Sequence, residues 1–296
     1  MMINVVIGLG KNKEVLLAIE EWTENENLHI KIAKNKEELL EAVKNPNIHA
    51  VIRGSLKSSI IKDLKKLDNF EKPEHTSHDS KLDNYKSINR ASYIKKDGKE
   101  FLLAPVGIDE GETIEEKVEI AIQSFEFVRS CGKVPQIAIL AGGRKEDFGR
   151  NQKIDKSLED SEKLTELLKE EIEKKLLKED NGKKLSEKDI EKKLSKNTSK
   201  SNLEANDFHE EYSIKNYYIL IEKAVAEGNN IIIAPDGISG NLLFRTLVLL
   251  NSYNSYGAIA LGFNKVFIDT SRDQSKEGYS RALKLAYKLA NRSKNY

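Results

Sequence analysis

With one cysteine, Cys131, in 296 residues, the chain cannot close an internal disulfide, which fits a reducing cytoplasm. No histidine stands near Cys131 in sequence, so its thiol reads as a packed or idle group rather than a nucleophile. No stretch approaches the roughly 18 consecutive apolar residues of a membrane helix. The opening MMINVVIGLG runs directly into a strand with no signal-peptide pattern. An excess of charge is also missing. The 49 Lys and Arg nearly balance 48 Asp and Glu, leaving a net charge of +1, whereas a general nucleic-acid binder is usually clearly basic. A Walker A loop is absent, so nucleoside-triphosphate hydrolysis has no support. Neither a glycine-rich S-adenosylmethionine loop nor a corrinoid-ligating D-x-H-x-x-G occurs.

What the chain does have is a series of short apolar runs that end in small, polar loops. Ile231–Ile233 is followed by Ala234 and Pro235, and reads as a strand buried on both faces. Asp236 to Asn241 then reads as a flexible turn, with Asn241 opening a helix that places Leu243, Leu247 and Leu250 on one face. Ile3–Ile7, His29–Ala33, His49–Ile52, Ile137–Leu140, Ala258–Leu261 and Lys265–Ile268 are further strands of this kind. Helices are predicted over Lys13–Trp22, Glu37–Val43, Ser58–Leu67 and Lys276–Asn291. Another starts at Thr113, whose spacing to Glu116 makes a capping box, and runs to about Arg129. Such βα alternation predicts a parallel sheet with helices on both faces. Ala91–Ile94 and Phe101–Val106, joined around Asp97-Gly98, interrupt it as a hairpin.

Two segments break the rhythm. Residues 69–89 are polar, and their His75-x-x-His78-Asp79 spacing reads as a solvated loop rather than a metal site. The chain is helical and highly charged from Lys156 to Lys196, with Asn181-Gly182 dividing it. Residues 166–196 hold ten Lys and nine Asp or Glu, a balance that supports solvated helices and draws no particular partner. Lys169–Asn206 is read as a surface insertion that packs little of the core.

Four strand ends carry loops of one type: Arg53-Gly54-Ser55, Gly142-Gly143-Arg144, Asp236-Gly237-Ile238-Ser239-Gly240-Asn241 and Thr270-Ser271-Arg272. Parallel topology brings the carboxyl ends of one sheet to one edge, where α/β proteins bind ligands. Guanidinium, hydroxyl and glycine N–H groups are an inventory for a small anionic substrate. Each loop alone is equally an ordinary βα turn or a surface salt-bridge site.

From about Leu103 to Ala290 the chain resembles the phosphate acetyl/butyryltransferases, through PVGIDEGETIEEKVEIAIQSFEFVRSCGKVPQIAIL, APDGISGN and FIDTSRDQS. More closely, the whole chain is similar to the methanogenesis marker protein 4 (MtxX) family of methanogenic archaea, which is described as methyltransferase-related. The resemblance implies a two-lobed, three-layer α/β/α fold with mainly parallel sheets, of the isocitrate/isopropylmalate dehydrogenase-like type and often dimeric. We expect residues 1–104 with 273–296 in the first lobe and 105–272 in the second. It further implies that Ser271 and Arg272 are catalytic, with Arg272 holding a phosphoryl group and Ser271 bonding a developing oxyanion. Coenzyme A or a related thiol is the cofactor it implies. The family's catalytic Asp falls on Gly278, and the residue after the Arg, usually Gly, is Asp273. Three functions therefore stand beside one another: a phosphate acyltransferase, a methyltransferase component acting with a separate corrinoid or pterin protein, and a non-catalytic ligand-binding or assembly factor.

Overall fold

The computed structural model of the chain describes residues 2–22, 24–68, 87–180 and 212–292. They form two compact units, Met1–Glu110 with Ile238–Tyr296, and Gly111–Gly237.

The first unit begins with β1 (Ile3–Gly8), α1 (Glu14–Glu20), β2 (Leu28–Ala33), α2 (Lys36–Lys44), β3 (Ala50–Ile52) and α3 (Ile60–Asp68). A hairpin, β4 (Asn89–Lys96) and β5 (Lys99–Ala104), follows as the Asp97-Gly98 turn predicts. The second unit contains α4 (Ile114–Ser130), β6 (Gln136–Leu140), α5 (Gln152–Asp180), β7 (Ser213–Tyr218), α6 (Ile221–Ala226) and β8 (Ile231–Ile233). The helix α7 (Gly237–Arg245) then leads back to β9 (Asn254–Leu261), β10 (Val266–Asp269) and α8 (Lys276–Arg292) of the first unit.

Strand order in the first unit is β2-β1-β3-β10-β9-β4-β5. The pairs β1 with β2, β1 with β3 and β3 with β10 are parallel, whereas β9 is antiparallel to both β10 and β4. Because successive strand residues face opposite sides, Val6, Val51 and Phe267 share one face and pack there with Leu39, Ile60 and Leu64 of α2 and α3. The opposite side carries α8, which packs on β1, β3, β9 and β10 and against α1. This gives helix, sheet and helix layers. In the second unit the order is β8-β6-β7, all parallel, with α5 packed on α4 and β7.

Several expectations are met locally. The Thr113 hydroxyl accepts the Glu116 N–H at 3.1 Å, and the Glu116 carboxylate accepts the Thr113 N–H at 3.4 Å, the reciprocal capping box. Three are corrected. The chain returns to the first unit after Gly237, not after 272, because β9 and β10 pair with β4 and β3. Helix α7 starts at Gly237, so the segment from Gly237 to Asn241 is its first turns and not a flexible loop. Gly237 and Gly240 are buried inside it, where a small residue permits close packing. Finally, α5 is unbroken to Asp180, and Leu168, Ile172 and Leu176 lie buried at helical spacing. The first turns of the expected insertion are therefore core, since charge on the other faces of a helix does not prevent one apolar stripe from packing. Residues 181–206 of that segment, and the His75, His78 and Asp79 spacing, lie outside the described residues.

Candidate functional site

The chain leaves β1 to pair β2 on one side and returns to place β3 on the other. The carboxyl ends of β1 and β3 thus flank a topological switch point, the place where α/β sheets open a crevice. A cavity of about 640 Å³ lies there, entirely within the first unit. The loop after β1 lines it with Gly10, Lys11 and Asn12, and the loop after β3 with Ser55, Leu56, Lys57 and Ser59. Arg272 and Asp273 after β10, Lys36 after β2, and Ile60 complete it.

The loops are braced against one another. Gly54 has φ +62°, a left-handed conformation that glycine adopts without strain, and a side chain there would strike the Gly8 carbonyl. The Ser55 N–H donates to that carbonyl at 3.0 Å. The Ser55 hydroxyl accepts the Gly10 N–H at 2.7 Å and donates to the Asn12 carbonyl at 3.1 Å. The Asn12 amide in turn donates to the carbonyls of Arg272 at 3.1 Å and Gln274 at 2.9 Å. The Tyr279 hydroxyl, fully buried, lies 3.0 and 2.9 Å from the carbonyls of Ser271 and Arg272, and burial pushes its pKa up to about 12.

Beneath this runs a chain of alternating charge. The Arg53 guanidinium donates to the Asp269 carboxylate and to the carbonyls of Leu56 and Thr270. Asp269 also meets Arg90 at 3.3 Å, and Arg90 binds Glu110 at 2.7 Å. Burial would lower the pKa of Arg90, but Glu110 and Asp269 outweigh it and raise it.

The four predicted loops therefore fare differently. Arg53, Gly54 and Ser55 adjoin the cavity, yet Arg53 and Ser55 act as braces, with their donors engaged by protein atoms rather than held out to an anion. Ser271 and Arg272 are both exposed, and among the described residues no carboxylate lies within ion-pair distance of Arg272. In the second unit, the Gly142 N–H donates to the Ser157 hydroxyl at 2.8 Å, and the Arg144 N–H to Asp147 at 2.8 Å. Gly143 accepts the Ile219 N–H at 3.1 Å, and the Arg144 side chain is exposed. Asp236 precedes α7, and the Asn241 amide donates to the Val106 carbonyl at 3.1 Å instead of capping the helix. Gly237, Ser239 and Gly240 are helical residues. In the second unit Lys117 is buried, its ammonium donating to the Pro235 carbonyl at 3.1 Å. Burial lowers its pKa, opposed by Asp160 and Asp236.

Sequence reasoning missed Lys11, Asn12, Lys36, Lys57 and Ser59, all lining residues. The available signal was the Gly8-x-Gly10 segment after the first strand, which has no dinucleotide fingerprint but still marks a close backbone approach. Among the described residues no His, Cys, Asp and Glu grouping could hold a metal ion, and no helix is long and apolar enough to cross a membrane.

Sheet order, the switch-point cavity and the braced loops define an α/β protein of the phosphotransacetylase-like fold. A branched-chain phosphotransacylase from Enterococcus faecalis superposes with a TM-score of 0.61 at 18% identity, covering 98% of this chain and 99% of that one. The EutD phosphotransacetylase from Staphylococcus aureus gives 0.58 at 14% identity, over 98% and 94%. In sequence, an uncharacterized methyltransferase of Methanocaldococcus jannaschii is 30% identical across 96% of this chain and 97% of its own length. A relative in Methanosarcina barkeri, named as subunit X of the mtx methyltransferase, is 31% identical across 97% and 86%. No family model matches the chain. The chain belongs to the mtx subunit X family of methyltransferase-related proteins.

Proposed function

We propose that this chain is a cytoplasmic transferase component of methanogenic one-carbon metabolism, and that its first-unit cavity holds a small anionic substrate. The observation that carries this reading is Arg272, an exposed guanidinium on a turn held from behind by Tyr279 and Asn12, at the rim of a cation-lined cavity. Arg272 anchors a phosphoryl or carboxylate group through paired charge-assisted bonds. The adjacent Ser271 hydroxyl donates to the oxygen on which charge develops. The name borne by the Methanosarcina relative, a methyltransferase subunit, favours a separate corrinoid- or pterin-dependent component as partner.

Coenzyme A chemistry of the phosphotransacetylase type fits these residues poorly. The position that would supply a base for the thiol is Gly278, where a side chain would collide with Gln274. Glu277 beside it is exposed, and its pKa is lowered chiefly by a hydrogen bond with Ser275, so it is a weak base. Gly278 favours a second reading, a ligand-binding or assembly factor on a transferase scaffold.

Calorimetric titration with inorganic phosphate and acetyl phosphate tests the first reading. A charged hydrogen bond contributes about 1.5–3 kcal/mol, so Arg272→Ala should weaken binding at least about tenfold. Arg272→Lys should not restore it, because ammonium lacks the planar fork. Unchanged affinity in Arg272→Ala would remove the assignment. Binding without methyl or acyl transfer, in the presence of the candidate partner, would favour the assembly factor.

A further inference from the structure

We propose that the first-unit cavity is a receptor for a compact, multiply charged anion of pyrophosphate type, with Lys11 and Lys57 as anchors in addition to Arg272. This rests on the anionic-substrate reading above and specifies the charge its ligand must carry.

Four cationic side chains, Lys11, Lys36, Lys57 and Arg272, line one space with a single lining carboxylate, Asp273. Lys36 is partly neutralised by Asp63 at 3.1 Å. Lys11, Lys57 and Arg272 have no carboxylate within ion-pair distance among the described residues. Like charges gathered around one cavity repel, and salt weakens that repulsion progressively beyond a screening length of about 8 Å at physiological ionic strength. A polyanion seated among them reverses the sign of that interaction. A singly charged carboxylate can satisfy the guanidinium and leaves the ammonium groups facing one another.

Size points the same way. The cavity measures about 640 Å³, while one water occupies about 30 Å³ of liquid. The space therefore admits a ligand larger than a lone phosphate, with room for two phosphoryl groups among the lining cations. The manner of binding is also set by what is already engaged. The Gly10 N–H and the Ser55 hydroxyl bond one another, so they do not cradle a phosphate as a glycine-rich loop would. Recognition falls to side-chain charges carried on separate loops. Those loops are fixed in place by Asn12, Arg53 and Ser55, which keeps the cations together before the ligand arrives. Two phosphoryl groups joined in one small molecule match such point charges, because ammonium ions bind phosphate without a demand for planarity.

The experiment is calorimetric titration of the whole chain with sodium acetate, inorganic phosphate and inorganic pyrophosphate at low and physiological salt, on wild type, Lys11→Gln, Lys57→Gln and Arg272→Ala. Both lysines are exposed, so the variants should melt with wild type. Pyrophosphate should bind at least about tenfold more tightly than phosphate, each lysine variant should lose about tenfold for pyrophosphate, and its phosphate affinity should change less. The salt dependence of pyrophosphate binding should flatten in both lysine variants. Equal affinity for phosphate and pyrophosphate, or pyrophosphate affinity untouched by both lysine substitutions, overturns the proposal while leaving the Arg272 reading intact. Failure of every anion to bind overturns both.

Discussion

Arg53-Gly54-Ser55 in the first unit and Gly142-Gly143-Arg144 in the second are alike on paper: each follows a buried apolar strand and combines Arg with Gly. In the structure they diverge. The Arg of the first turns inward to Asp269 and Thr270, tying β3 to β10 and holding a cavity open beside them. The Arg of the second is exposed, while its backbone and that of Gly142 are bound locally by Asp147 and Ser157. A strand-end arginine thus announces neither a ligand nor a surface pair. What distinguishes the two is the neighbouring strand: Asp269 ends β10, which is paired with β3, so a carboxylate whose side chain is only 10% exposed waits for Arg53.

The largest effects should come from breaking the structural side of this contrast. Arg53→Met leaves Asp269 with Arg90 alone, at 3.3 Å. Severing a buried ion pair costs about 3–5 kcal/mol, and the surviving partner places this variant at the lower end. In the second unit, Ile172→Ala should cost about 2–5 kcal/mol, because Ile172 is fully buried on α5. Chemical denaturation measures both. An Ile172→Ala variant as stable as wild type would restore the view that the segment beyond Lys169 is dispensable.

The ligand side is sharpened by pairing Arg272→Ala with Arg144→Ala. The first should lower phosphate affinity at least about tenfold with little change in melting temperature. The second should change neither, since exposed substitutions away from special features usually stay within about 0.5 kcal/mol. Equal losses in both variants would mean that the second unit's loop also holds the anion.

Much of the fold could be read in advance because its signals are local. Apolar runs such as Ile3–Ile7 and Ile231–Ile233, the Asp97-Gly98 turn and the Thr113–Glu116 capping box depend on neighbours in sequence, and all formed. Arg272, singled out through FIDTSRDQS, lines the cavity, whereas Ser271 beside it does not. Lys11, Asn12 and Lys57 were not legible, because nothing in their own surroundings shows that β1, β3 and β10 end side by side. Only the strand order reveals it. Gly237 and Gly240 misled in the opposite direction. Two glycines within four residues resemble a loop, yet glycine costs a helix only about 1 kcal/mol, which the burial of α7 at those positions can outweigh. The charged stretch misled for a similar reason, since Leu168, Ile172 and Leu176 form a stripe that overall charge conceals.

A smaller expected loss tests whether the Ser271-Arg272 turn is held from behind. Tyr279 shares one hydroxyl between the carbonyls of Ser271 and Arg272. Tyr279→Phe keeps the buried ring and removes that bond, which should cost about 1 kcal/mol. A larger loss is not expected, because Ser271 is exposed to water and the Arg272 carbonyl keeps the Asn12 amide. Phosphate affinity should fall less than in Arg272→Ala, since the guanidinium remains and only its placement loosens. A pH signature reports the burial of the hydroxyl that makes this bond. Burial raises the pKa of Tyr279 from about 10 in the unfolded chain to about 12 in the folded one. Between those values the unfolded state has released its proton and the folded state retains it. Stability is therefore complete below pH 10 and falls as pH rises toward 12. In Tyr279→Phe that part of the decline should vanish, leaving a shallower alkaline limb, to which Tyr212, also raised to about 12, still contributes. Urea unfolding from about pH 8 to pH 11.5 spans the relevant window. Superimposable alkaline limbs for wild type and Tyr279→Phe would show that the hydroxyl is not buried behind the turn, and an unchanged stability at neutral pH would show that it does not clamp the turn.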